Sequence, residues 1–142
     1  MSKYFFILII ILSSCGTTGH IAFFNFNNSK SEVEIQILNV ISKDSLYTVP
    51  PKWSEHTKGD YFERIYVYFK SNPEEIIQVG FSYDSATWKQ SSSCRLAIIS
   101  IYQGNQFQYE RDLSNKEQNR IQERFEKQIL SKINHYYITT KI

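Results

Sequence analysis

Four strand-like runs lie within residues 61–111, and the turns between them constrain the fold more than any other feature of the chain. In 61–70, Tyr61, Ile65, Val67 and Phe69 fall on one side of a strand, with Phe62, Arg64, Tyr66, Tyr68 and Lys70 on the other, because strand side chains alternate with a period of two. Ser71-Asn72-Pro73-Glu74 turns the chain into 76–84, where Ile77, Val79, Phe81 and Tyr83 share a face, so the two runs predict a hairpin. A second hairpin joins 94–103 to 106–111 across Gly104-Asn105. Glycine first in a two-residue connection predicts a type II′ turn. That register sets Tyr102 opposite Phe107 and Ser100 opposite Tyr109.

Helices are expected on both flanks of these strands. Val33, Ile35 and Ile37 alternate as in a strand, while Val33, Ile37, Val40 and Ile41 recur at helical spacing. Two signals favour a helix over 32–43. Ser31 with Glu34 reads as a capping box, and a strand would bury Asn39 while exposing Leu38 and Val40. Near the C-terminus Ser114 and Glu117 form a second capping box. Ile121, Phe125, Ile129 and Ile133 then repeat every four residues, with Tyr136 near the stripe, predicting a helix over 115–135. Lys116, Arg120, Glu123 and Lys127 fall opposite that stripe, and Arg124 and Glu126 lie close by, so this face reads as solvated and salt-laced. Earlier, residues 20–26 form an aromatic run suited to an edge strand, and 44–60, with Pro50-Pro51 and Gly59, read as a long loop. The fold class that follows is α+β: an antiparallel sheet of about four strands (61–70, 76–84, 94–103, 106–111), with a helix before it and the long C-terminal helix packed on one face.

At 142 residues, 42% hydrophobic and 21% charged, the chain suits one globular domain. Its net charge of +2 supplies no field for a polyanion, so nucleic acid is not an expected partner.

The first residues belong to something other than the domain. Lys3 precedes nine uninterrupted apolar residues, 4–12, which are too few for the ~20 that a membrane-spanning helix needs. Such a run behind a positive residue reads as the core of a signal peptide. Leu12-Ser13-Ser14-Cys15 resembles the lipobox of bacterial lipoproteins: a branched apolar residue at the third position before a cysteine, two small residues, then the cysteine. The resemblance implies removal of residues 1–14, diacylglycerol on the Cys15 thiol, and acylation of the new amino group. It divides the chain into a signal peptide (1–14), a lipidated N-terminus and tether (15–31) and a globular domain (32–142). Two or three acyl chains, at ~0.8 kcal/mol per buried CH₂, anchor stably where one would not. With Cys15 acylated, Cys94 is the remaining thiol, so no internal disulfide is expected; Cys94, opening an apolar run, reads as a small buried hydrophobe.

Signals for chemistry are weak. No nucleophile-elbow glycine pattern and no phosphate-cradling glycine loop occurs. His20, His56 and His135 are isolated from one another, so no metal site is expected. Glu74-Glu75 are adjacent carboxylates in a turn, where solvation is the ordinary outcome. An enzyme is therefore not expected, nor any cofactor beyond the covalent lipid. One constellation points to binding: Phe62, Arg64, Tyr66, Tyr68 and Lys70 form an aromatic and basic stripe that would face outward if the helices cover the opposite face. The same stripe becomes a second small core if Trp53 and Leu46 of the 44–60 loop fold over it. The expectation is a small lipid-anchored envelope protein acting by contact with an envelope partner, on the periplasmic face of the outer membrane in a cell with two membranes. The alternative is an inhibitor or immunity lipoprotein that neutralises a toxin or wall-degrading enzyme.

Overall fold

The computed structural model describes residues 19–53, 64–82, 91–134 and 137–140. In chain order these form β1 (Ala22–Phe26), α1 (Lys30–Lys43), β2 (Arg64–Phe69), β3 (Glu75–Phe81), β4 (Cys94–Gln103), β5 (Gln106–Tyr109), α2 (Asn115–Gln128) and β6 (Tyr137–Thr140). Short 3-10 turns lie at Ser45–Tyr47, Glu110–Asp112 and Leu130–Lys132. The six strands make one antiparallel sheet in the order β2-β3-β4-β1-β6. β5 shares an edge of β4 with β1: β1 pairs with its first half, Cys94 to Ile98, and β5 with its second, Ser100 to Gln103. The α+β class with helices on one face follows from the core, where Val33 and Ile37 of α1 and Ile121 and Phe125 of α2 pack with Phe24, Val67, Ile77, Val79, Leu96 and Ile98 of the sheet.

Local signals explain most boundaries. α1 starts two residues before the expected position, because Ser29 and Glu32 rather than Ser31 and Glu34 make the capping box: Ser29 N donates to Glu32 Oε2 at 2.9 Å and Glu32 N to Ser29 Oγ at 3.4 Å. The earlier start leaves Glu34 free to pair with Lys30 one turn away, at 3.2 Å. Ser114 caps α2 as expected, but Glu117 bonds forward to Arg120 rather than back to the cap. The β4–β5 hairpin has the expected register, Tyr102 opposite Phe107 and Ser100 opposite Tyr109. Its turn differs: Gly104 (φ 58°) and Asn105 (φ 65°) are both left-handed, which makes it type I′, a conformation asparagine tolerates and the strand twist favours. β5 ends at Tyr109, where Asp112 accepts from the Tyr109 amide at 3.0 Å and turns the chain.

Two expectations about the chain ends are corrected. The aromatic run near residue 20 is an interior strand, not an edge, because β6 covers its outer side, with Phe24 opposite Thr139 and Phe26 opposite Tyr137. Folded structure therefore reaches back through residues 22–31, which the sequence assigned to a tether. The C-terminal helix stops at Gln128 rather than 135. Ile129 and Ile133 are buried as the stripe requires, but Leu130 beside Ile129 is buried too, and a 3-10 turn supplies that second direction. Tyr137-Ile138-Thr139-Thr140, aromatic and β-branched, then pair as a strand. Tyr136 lies outside the described residues.

The charged side of α2 is not uniformly solvated. Glu75, the first residue of β3, is fully buried. Arg120 grips it with two bonds, Nη1 to Oε1 at 3.0 Å and Nη2 to Oε2 at 2.8 Å, and Arg124 Nη1 adds a third at 2.9 Å. Arg124 also donates to the carbonyls of Pro73 (2.7 Å) and Ser71, and its guanidinium lies 4.6 Å from the Phe69 ring. This clamp ties the β2–β3 turn to α2. The adjacent carboxylates thus part company: Glu74 stays at the surface and Glu75 goes inside.

Removing one partner from a buried ion pair leaves an uncompensated charge, at a cost of ~3–5 kcal/mol. Glu75→Ala should therefore lose about as much stability in chemical denaturation as Phe125→Ala, a core truncation of ~3–5 kcal/mol. The exposed Lys116→Ala should stay within ~0.5 kcal/mol of wild type. A Glu75→Ala variant as stable as Lys116→Ala would refute the buried clamp.

Candidate binding surface

The sheet face turned away from the helices carries the aromatic and basic stripe, and a fault in strand alternation shapes it. Val79 pairs with Ile98 but Gln78 with Ser100, so Ile99 is an extra residue in β4 and forms a bulge. Before the bulge Leu96 and Ile98 enter the helix-side core. After it Ile101 does so, while Ser100 and Tyr102 join the other face. Two rows result. Tyr68, Ile76, Tyr102 and Phe107 stand side by side across four strands, and Tyr66, Gln78, Ser100 and Tyr109 form the next row.

The first row is the floor of a small second core. Tyr68, Ile76 and Tyr102 are buried, and Val49, Trp53, Tyr66 and Phe107 pack around them. Trp53 meets Tyr68 and Tyr102 edge-on, with ring centroids 5.6 and 6.0 Å apart. The cover expected from the 44–60 loop is thus provided by Val49 and Trp53, whereas Leu46 remains 59% exposed. The second row is a polar chain: Ser100 Oγ donates to Gln78 Oε1 at 2.5 Å, and Gln78 Nε2 donates to Tyr66 Oη at 2.9 Å. These bonds satisfy the side chains of Gln78 and Ser100, both buried within the sheet.

Of the stripe, Tyr68 is buried, Arg64 and Tyr66 are half-buried and Lys70 is exposed; Phe62 lies outside the described residues. The stripe as such is therefore not an open aromatic surface, because Trp53 occupies the space in front of it. What reaches solvent is a rim. Lys52 Nζ sits 4.4 Å from the Trp53 ring and 3.1 Å from Glu74 Oε1, and the Tyr68 hydroxyl donates to that same oxygen at 2.6 Å. Hydrogen bonds from Tyr68 and then Lys52 hold the Glu74 carboxyl below its ordinary value. The same Glu74 bond, with burial behind it, pushes the Tyr68 hydroxyl up to about 12. Lysine, indole and carboxylate thus lie side by side at the surface, engaged with one another. The involvement of Lys52 was not legible in the sequence, since 22 positions separate it from Glu74.

Elsewhere, an open groove of about 440 Å³ runs between the C-terminal half of α1 and the segment after α2, lined by Gln36, Asn39, Val40, Lys43, Lys132 and Asn134 among others. The Asn134 amide donates to Gln36 Oε1 at 2.9 Å, Lys132 Nζ to the Tyr47 hydroxyl at 2.8 Å and the Leu46 amide to Asp44 Oδ1 at 3.0 Å, so much of its polar lining is already engaged. Cys94 is buried in the main core, and burial, then Glu32, push its thiol up to about 11, far from a reactive thiolate. Among the described residues no three His, Cys, Asp or Glu side chains gather as a metal site, and no helix is long and apolar enough to cross a membrane. Cys15, His56 and His135 lie outside the described residues. No family model matches the chain, and no curated protein or solved structure is detectably similar to it.

The Tyr68–Glu74 bond makes a pH prediction at both ends. Glu74 is depressed on folding, so its contribution is present above the ordinary 4.5 and is lost as pH falls through the lowered value. Tyr68 is raised, so its contribution is complete below 10 and is lost as pH rises towards about 12. The stability difference between wild type and Tyr68→Phe, followed by urea denaturation across pH, should be a plateau that falls at both ends. A difference independent of pH would refute the bond.

Proposed function

We propose that this chain is a lipid-anchored protein of the bacterial envelope that acts without catalysis, by contact with another envelope protein. The observation that carries the reading is Leu12-Ser13-Ser14-Cys15, whose Leu12 closes the run of nine apolar residues and whose Cys15 stands seven positions before the first strand. Such a segment ends as an acylated cysteine, and a folded module begins almost at once. In a cell with two membranes the periplasmic face of the outer membrane is the proposed location, since Gly16 and the residues after it carry no acidic run. The rim of Lys52, Trp53, Lys70 and Glu74, beside half-buried Arg64 and Tyr66, is the proposed contact surface.

The alternative, an inhibitor or immunity lipoprotein, gains no acidic loop from Glu74-Glu75. Glu75 is buried between two arginines of its own chain, which leaves Glu74 as the one carboxylate of the pair at the surface.

Cys15→Ala should leave full-length precursor and abolish incorporation of labelled fatty acid, with mass spectrometry of wild type showing an acylated N-terminal Cys15. A free Cys15 thiol in the mature protein would overturn the anchor. For the contact surface, Lys52→Glu with Lys70→Glu alters two exposed side chains and should leave stability within ~0.5–1 kcal/mol of wild type. It should lose an envelope protein retained by the wild type in crosslinked pull-downs; undiminished retention would move the surface elsewhere.

A further inference from the structure

The position of the first described residues fixes how an anchored domain would stand on its membrane. Gly19 lies directly against Glu110, so closely that a Cβ on Gly19 would collide with the carboxylate. Two residues on, the Ile21 amide donates to Ile98 O at 2.9 Å and the chain enters the sheet. The surface beside Gly19 is firmly built. Gln118 Nε2 of α2 donates to the carbonyls of Glu110 (3.0 Å) and Leu113 (3.1 Å), and Asp112 accepts from the Tyr109 amide. β6 finishes at the same end, with Thr140 opposite Phe23.

Four residue steps separate Cys15 from Gly19, and a chain reaches at most ~3.6 Å per residue, so Cys15 lies within ~14 Å of Gly19. We infer that the surface formed by Glu110–Asp112 and the start of α2 rests against the lipid headgroups, with the domain held in one orientation by the shortness of this connection. The inference rests on the proposed acylation of Cys15. The occupant of this surface is the bilayer itself, and its charge needs to play no part: Glu110, Asp112 and Glu117 outnumber Arg111 and Lys116, so the surface has no net attraction for anionic lipid. Residue 27 lies beyond the far end of β1, whose four steps from Ala22 to Phe26 cover ~13 Å. The turn before α1 therefore points away from the membrane.

The test uses the full chain, processed and acylated by a bacterial host, with Cys94→Ala as background and a fluorophore on Arg111→Cys or Asn27→Cys. Both sites are exposed. In phosphatidylcholine vesicles carrying a nitroxide on the headgroup, the label at 111 should be quenched several-fold more strongly than that at 27. Added anionic lipid should leave the ratio unchanged. A Gly/Ser insertion of about twenty residues after Thr17, with an r.m.s. reach of ~25 Å, should bring the two labels close to equality. Equal quenching without the insertion, or a ratio that depends on anionic lipid, would overturn the orientation. Protein that does not partition into vesicles at all would overturn the acylation reading, and the orientation with it.

Discussion

A carboxylate with no access to water needs cations within hydrogen-bond reach, and Glu75 obtains two from a single helix. Much of the architecture hangs on that requirement. Arg120 and Arg124 lie four residues apart on α2, so satisfying Glu75 sets both the rotation of the helix and its position along the sheet. Arg124 extends the clamp to the carbonyls of Ser71 and Pro73, which ties the β2–β3 turn to the same helix. With the rotation set, Ile121 and Phe125 point into the main core, where Phe125 meets Phe24 with ring centroids 5.8 Å apart. The Glu75 carboxylate also raises the Arg120 guanidinium above its ordinary value, so the arginine stays charged throughout the range in which the domain is folded. An apolar residue at 75 could fill the same volume, but it would not select one helix register over another.

The bulge at Ile99 has the second largest consequence. Strict alternation along β4 would send Ser100 and Tyr102 to the helix side behind Leu96 and Ile98, placing a hydroxyl in the main core. One extra residue reverses the phase, so the same strand feeds both faces of the sheet. The reversed half meets Tyr68 and Ile76 and needs a cover, which Val49 and Trp53 supply. A surface that reads as an aromatic binding stripe is consequently sealed, and a polar rim around Trp53 is what reaches solvent. Trp53 serves both roles, with its ring edge-on to Tyr68 and Tyr102 and its face under Lys52.

Placing β1 between β4 and β6 couples the N-terminal end of the described residues to the centre of the fold. A tether joined to an edge strand could peel away without disturbing the core, whereas β1 exchanges hydrogen bonds on both sides and buries Ala22, Phe24 and Phe26.

The amino-acid sequence alone determined what depends on neighbours within a few residues. The Gly104-Asn105 hairpin and its pairing, the four-residue stripe from Ile121 and the helical choice for residues 32–43 are all of this kind. Near misses were local as well: two overlapping Ser-x-x-Glu boxes compete for the start of α1, and Asn105 accepts the left-handed backbone that turns a type II′ expectation into type I′. Tertiary structure decided the rest. Nothing near Glu75 announces that arginines 45 and 49 positions later will bury it. Tyr137–Thr140 is too short to be recognised as a strand until β1 offers it an edge, and the bulge in β4 carries no glycine to mark it. Trp53 covers the stripe only because a loop far from Tyr102 in the chain returns to it. In each case the deciding term is desolvation of a group by residues distant in the chain, a quantity that exists only once the sheet and helices have come together.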